Sequence, residues 1–254
     1  MSTNAQVEPG SKVSQTLEAA AKLPGVRIDR GAYLRTALAR YCTEEQIDRA
    51  VATSPAEAGI PGDVITRVAN TSIKFETSKV TALSTAAGIP GGFAAIGTVP
   101  ADVAQYFGHV LRITQKLAYI YSWPDLFADK GDGLDEATEG ILILFVGVMF
   151  GVNAAQAGVA KVADMMARQV VKKLPQQALT KGAVYPAVKK VAAMLGVTMT
   201  KRIYAGAVAK VVPVVGAVFS GGLTLATFLP MSKRLQKHLA SLELTKPGSV
   251  SVSF

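Results

Sequence analysis

The chain has 254 residues, half of them hydrophobic, and carries 27 Lys and Arg against 18 Asp and Glu, a formal net charge of +9. Its mean hydropathy is +0.31, and only 18% of its residues are charged, against about 25% in ordinary soluble domains. This length suffices for a full core without staples, and Cys42, alone in the chain, excludes an intramolecular disulfide and fits a reducing compartment.

The start, MSTNAQVEPGSK, is polar and lacks the basic-then-apolar order of a signal peptide. Residues 1–11 read as a disordered tail, and the expectation is a protein kept in the cytoplasm. Helical signals then dominate. Ser14–Leu23 is alanine-rich and stops at Pro24-Gly25. Asp29 can cap a helix running to Tyr41, and Thr43-Glu-Glu-Gln46 is a capping box opening the next. Pro55 and Gly59-Ile-Pro61-Gly62 break the chain, and Asp63 starts a long segment to about Ala87. No alternating pattern of useful length predicts a strand, although Ser249–Phe254 could be a short extended tail. The expected fold is all-α, a compact multi-helix bundle with glycine-rich apolar helices. It comprises one helical domain over 12–245 and a flexible tail over 246–254.

Three stretches carry no charge: Val80–Ala101, Ile141–Ala160 and Val211–Met231. Each is close to the ~20 residues of a bilayer-spanning helix. Interruptions by Gly88-Ile-Pro90-Gly91-Gly92, by Asn153 and Gln156, and by Pro213 with Gly221-Gly222 argue instead for buried core helices. Gly91-Gly92 precede Pro100 by the spacing that separates Gly221-Gly222 from Pro230. This suggests a pseudo-repeated hairpin, or simply glycines placed at helix crossings.

After Pro100, Asp102, Gln105, His109, Arg112 and Lys116 recur at steps of 3, 4, 3 and 4 and so share one helix face. Val103, Phe107, Val110, Thr114, Leu117 and Tyr121 take the other. The polar face reads in two ways: a groove in which Asp102, Gln105, His109 and Arg112 bind a polar or anionic ligand, or an ordinary solvated stripe. His109 is the candidate acid–base group and Arg112 the anion clamp if the face is catalytic, but nothing specifies a reaction. No Ser-His-acid arrangement, CxxC, HExxH or phosphate loop occurs, two histidines make no metal site, and no cofactor is implied. Asp129-Lys-Gly-Asp132-Gly-Leu-Asp135-Glu136 misses the calcium-loop spacing and reads as a polar loop capping the apolar helix after it.

Charge separates the two halves. Residues 1–140 hold 13 Lys and Arg against 16 Asp and Glu, net −3; residues 141–254 hold 14 against only Asp164 and Glu243, net +12. Such a half attracts polyanions. Lys172, Lys173, Lys189, Lys190, Lys201, Arg202, Lys233 and Arg234 are the candidate contacts, several flanking apolar stretches as lysines at lipid head groups do. Nucleic acid is disfavoured, because this half offers few aromatics and no recognised motif.

The turn Gly88-Ile-Pro-Gly-Gly92 followed by Val99-Pro100-Ala101-Asp102, then Leu111-Arg112 and Ala118-Tyr-Ile-Tyr121, with a second block of Val212-Pro-Val-Val-Gly216 and Gly221-Gly222, resembles the EcsC family. The likeness spans roughly residues 45–240. Asp102 and Arg112 match that family's polar helix positions. The chain departs after Tyr121, where the family commonly has glycine and then aspartate and this sequence has Ser122-Trp-Pro-Asp125. The family is bacterial and helical, and its founding member is encoded beside an ABC transporter linked to secretion. The resemblance therefore implies an envelope context. Together these readings point to a protein of the cytoplasmic membrane face, peripherally attached or integral, with no residue pattern that specifies a reaction. It would be non-enzymatic, binding anionic lipid or an envelope protein. The rivals are a ligand-binding protein or enzyme on the Asp102 face, and a pore-forming or toxin-like protein that inserts its apolar hairpins.

Overall fold

A computed structural model describes residues 9–87, 101–128, 133–168, 174–209 and 213–246, with side chains described outside 9, 82–87, 101–102, 199–209 and 213–225. Among the described residues the chain is all-helical: α1 (Pro9–Ala21), α2 (Arg30–Leu38), α3 (Glu44–Ala52), α4 (Gly62–Ala87), α5 (Ala101–Ile120), α6 (Glu136–Met149), α7 (Asn153–Arg168), α8 (Gln176–Thr180), α9 (Tyr185–Ala209) and α10 (Pro213–Ala240), then a 3-10 turn at Glu243–Thr245. Helix α1 begins inside the segment expected as a tail, and buries Val13, Leu17, Ala20 and Ala21 from one face. Residues 1–8, the calcium-like residues 129–132 and the tail 247–254 lie outside the described residues.

The local signals act where the sequence puts them. Asp29 accepts from the Ala32 N–H, and Thr43 and Gln46 form the reciprocal capping box of α3. The end of α3 is closed from outside. The Arg30 guanidinium donates to the Ala50, Val51 and Thr53 carbonyls and to that of Trp123, so it satisfies acceptors that a helix C-terminus leaves open.

Helix α6 is the centre of the molecule: from Ala137 to Met149 only Glu139 escapes burial. Its start is capped by Asp135, which accepts from the Ala137 and Thr138 N–H groups at 3.1 and 3.0 Å, the polar cap expected of that loop. Asp135→Ala leaves these donors open and lowers stability by about 1 kcal/mol, a fall of roughly 2–4 °C in melting temperature readable by calorimetry. The end of α6 explains why Ile141–Ala160 is not one continuous helix. Gly151 takes φ 82°, the Gly151 N–H reaches the Val148 carbonyl and the Val152 N–H that of Gly147. This pair of bonds is the Schellman closure, in which a left-handed residue reverses the chain. At 1.5 Å per residue the 14-residue α6 spans about 21 Å, short of a ~30 Å hydrocarbon core. Among the described residues no helix is long and apolar enough to cross a membrane.

The packing runs in layers. Helix α4 lies on α5 and α10; those two lie on α6, with α1 against α5; α6 and α1 in turn carry α9, and α7 packs on α6 and α9. Helix α2 joins α3 to α5, and α8 closes the end of α6.

Candidate functional site

The polar face of α5 does not meet water. Glu76, on the inner face of α4 among Ile73, Thr77 and Val80, is fully buried, and its carboxylate gathers the α5 cations. Lys116 Nζ donates to Oε1 at 2.6 Å, Arg112 Nε reaches Oε1 and Oε2 at 3.2 and 3.3 Å, and His109 Nδ1 lies 3.3 Å from Oε2. Arg112 also donates through Nη1 to the Gly25 carbonyl. Spacing on α5 is what permits this: positions 109, 112 and 116 stack on one side over two turns, opposite one residue of α4.

The cluster is short of negative charge. Burial by itself would raise the Glu76 pKa, but hydrogen bonds from His109 and Lys116 and the charges of Lys116 and Arg112 outweigh it and hold the carboxyl at about 2. Lys116 responds differently. Burial draws its ammonium below the usual lysine value despite the Glu76 bond, and Arg112 and Lys79 push it further the same way. One carboxylate serves several cations, so each cation receives only part of it.

The excess reaches the surface through Phe75. This ring is 50% exposed, with Lys79 Nζ 4.6 Å from its centre and Lys116 Nζ 4.9 Å from it, both within cation–π range. Lys74 is exposed beside it, and its charge bears on Lys233 of α10, which donates to the amide oxygens of Asn70 and Gln236. Helix α10 contains no acid, and α4 has only Glu76 and Asp63, the latter paired with Arg67 at 3.2 Å. Among the described residues no carboxylate pairs with Lys74, Lys79 or Lys233.

His109, Arg112 and Lys116 thus converge as one face, as their spacing requires, but onto a carboxylate rather than into an open groove or solvent. Gln105 is half-buried on the same helix. Asp102 lies in the first turn of α5, and its side chain is outside the described residues, as are those of Lys201 and Arg202 on α9. Lys172 and Lys173 fall outside the described chain. Lys189 and Lys190 are exposed on α9. Arg234 is committed to the fold: its Nη1 donates to the Met149 carbonyl at the end of α6 and lies against Gly151. Glu76, Lys74 and Lys79 escaped the sequence reading because they sit in the net-acidic half, where only the period of α4 separates an inward carboxylate from outward lysines. Among the described residues no group of three His, Cys, Asp or Glu side chains could hold a metal ion. Comparison with protein-family models, curated proteins and solved structures finds no match to this chain.

Proposed function

We propose that this chain is a non-enzymatic, peripheral protein of the anionic membrane surface at its cytoplasmic face, related to the EcsC family. The observation that carries the reading is Phe75, an exposed phenyl ring with Lys79 over it and exposed Lys74 next to it in the chain, and among the described residues no carboxylate pairs with these lysines or with Lys233 of α10. A ring at that position enters the head-group region while ammonium groups around it meet lipid phosphates. Attachment without a spanning helix fits the finding that, among the described residues, no helix is both long and apolar enough to cross a membrane. An acidic envelope protein is the second partner this charge could serve.

The chain departs from that family's pattern at Ser122. Ser122 closes α5 with φ 69°, a left-handed conformation that favours glycine, at the position where the family commonly has glycine. Its hydroxyl accepts from the Ala56 N–H at 3.0 Å, which offsets part of the strain. Asp125 accepts from the Tyr119 hydroxyl and the Phe127 N–H, both at 3.0 Å, a structural use. The rival reading of the α5 face as a catalytic groove is weakened because His109 and Arg112 are engaged by Glu76.

Co-sedimentation with vesicles of neutral phosphatidylcholine, with and without anionic phosphatidylglycerol, tests the reading. Binding should rise with the anionic fraction and fall with salt. At ~1 kcal/mol per surface lysine, Lys74→Ala with Lys79→Ala weakens binding about thirtyfold, and Phe75→Ser weakens it on neutral and anionic lipid alike. Equal recovery with both lipids, or none with either, would sink the reading.

A further inference from the structure

Two ammonium groups of different kind lean on the Phe75 ring. Lys79 is exposed one turn further along α4, so its charge is solvated and screened. Lys116 is buried and reaches the same ring from α5, its Nζ 4.9 Å from the ring centre against 4.6 Å for Lys79. Water screens a buried charge much less than an exposed one, so Lys116 adds a field that a surface lysine would not. Glu76 does not cancel it. Arg112 and Lys116 share that carboxylate, and with Lys79 three fixed cations face one anion, which leaves two positive charges beside the ring. Burial is the main reason the Lys116 ammonium is drawn below its ordinary value, and repulsion from Arg112 and Lys79 adds to it. A similar repulsion runs from Lys74 to Lys233. Like charges gathered in this way are relieved by an anion, and by a doubly charged anion more than by a singly charged one.

A lipid phosphodiester carries one negative charge. A phosphomonoester loses a second proton near pH 6 and presents three acceptor oxygens, and adjacent cations favour that second ionisation. We infer that the Phe75 patch prefers phosphomonoester head groups, of which phosphatidic acid is the simplest, to phosphodiester ones. Lys79 donates to the terminal phosphate oxygens, Lys116 adds its charge from the α5 side, and Phe75 enters the acyl boundary. The occupant is a lipid and not a free phosphomonoester because of the ring: half of it stands in water, and only the lipid offers it apolar surface. This inference rests on the membrane reading above and adds to it the class of head group.

The test is co-sedimentation of the full chain with phosphatidylcholine vesicles containing phosphatidic acid, its methyl ester phosphatidylmethanol, or phosphatidylglycerol. The three vesicle sets are matched for zeta potential, so general attraction is equal and only the uncapped phosphate differs. The wild type should bind phosphatidic acid about fivefold more tightly than either diester, the worth of one extra charge at ~4 Å in water. Lys79→Gln should bring the three lipids to equal affinity. Lys79 is exposed, and an unchanged melting temperature verifies that the variant is folded. Excess glycerol 3-phosphate should leave the wild type on the vesicles. If phosphatidic acid binds no more tightly than its methyl ester, the preference is overturned while peripheral attachment stands. A preference that survives Lys79→Gln lies elsewhere and overturns the assignment to this patch. Release by glycerol 3-phosphate makes the ligand a soluble phosphomonoester and overturns the lipid. If no vesicle is bound, the membrane reading itself fails and takes the inference with it.

Discussion

Replacing Glu76 by glutamine lowers the melting temperature by roughly 10 °C, the equivalent of about 3 kcal/mol or more in a chain of this size. Glutamine keeps the shape and some hydrogen bonding but removes the buried negative charge that Arg112 and Lys116 share. Breaking a buried pair from one side leaves an uncompensated charge in a low-dielectric setting, which costs more than the pair contributes when intact. Arg112→Ala is damaging for a related reason: it opens the Gly25 carbonyl as well as one side of the carboxylate. Removing all three groups is the informative control. Glu76→Met with Arg112→Met and Lys116→Met should recover part of the loss, since an apolar cluster of similar volume carries no desolvation penalty, while the Gly25 carbonyl stays open.

The pH dependence gives the same result by another route. The Glu76 carboxyl is held at about 2, below its ordinary value of 4.5. A group with a depressed folded-state pKa stabilises the fold fully above its unfolded value. That contribution fades as pH falls from about 4.5 toward 2. A displacement of this size corresponds to about 3 kcal/mol. Between pH 5 and 2 the wild type should therefore lose stability faster than Glu76→Gln, and the two melting curves should approach each other. A Glu76→Gln variant within 1 kcal/mol of wild type at pH 7, with a parallel acid profile, would show that the cluster is not coupled as its geometry indicates.

What could be read in the sequence was whatever depends on near neighbours in the chain. The Asp29 cap, the Thr43–Gln46 box and the shared face of His109, Arg112 and Lys116 follow from spacing alone, and each is present. The partner of that face was not legible. Glu76 lies 33 to 40 residues away from the three cations, and nothing in periodicity says which helix will lie opposite. The stripe is neither a groove nor a solvated surface but a polar seam between two packed helices, the buried case in which its partner comes from another helix. The apolar stretch Ile141–Ala160 shows a related limit. Its hydropathy fits a span or a core equally well, and what decides is the reversal at Gly151, one left-handed residue that splits it into α6 and α7.

Glycines set the last large effect. Close helix contact was expected at Gly91-Gly92 and Gly221-Gly222, of which the first pair lies outside the described residues and the second has no described side-chain surroundings. The tight crossings among the described glycines are on α6 and α7. A Cβ added at Gly147 would stand 2.4 Å from Val191 Cγ1 and 2.7 Å from Ala155 Cβ, far inside the ~3.5–4.0 Å of normal carbon contact. Val191 can change rotamer at some cost, but Ala155 Cβ is fixed to its backbone, so α6 and α7 must move apart. Gly147→Ala should therefore destabilise by about 2–3 kcal/mol, even after the ~1 kcal/mol that alanine gains over glycine within a helix. Gly140 on the same helix is the contrast. Its added Cβ finds nothing nearer than Leu179 at 3.7 Å, an ordinary contact, so Gly140→Ala should stabilise by roughly 0.5–1 kcal/mol. Gly158 falls between them, because the atoms it would meet, at 2.9 and 3.1 Å, are the rotatable ends of Leu144. Thermal melts of the three variants should rank Gly140→Ala above Gly158→Ala and Gly147→Ala last. Three equal melting temperatures would mean that α6 is not held as closely against α7 and α9 as these distances require.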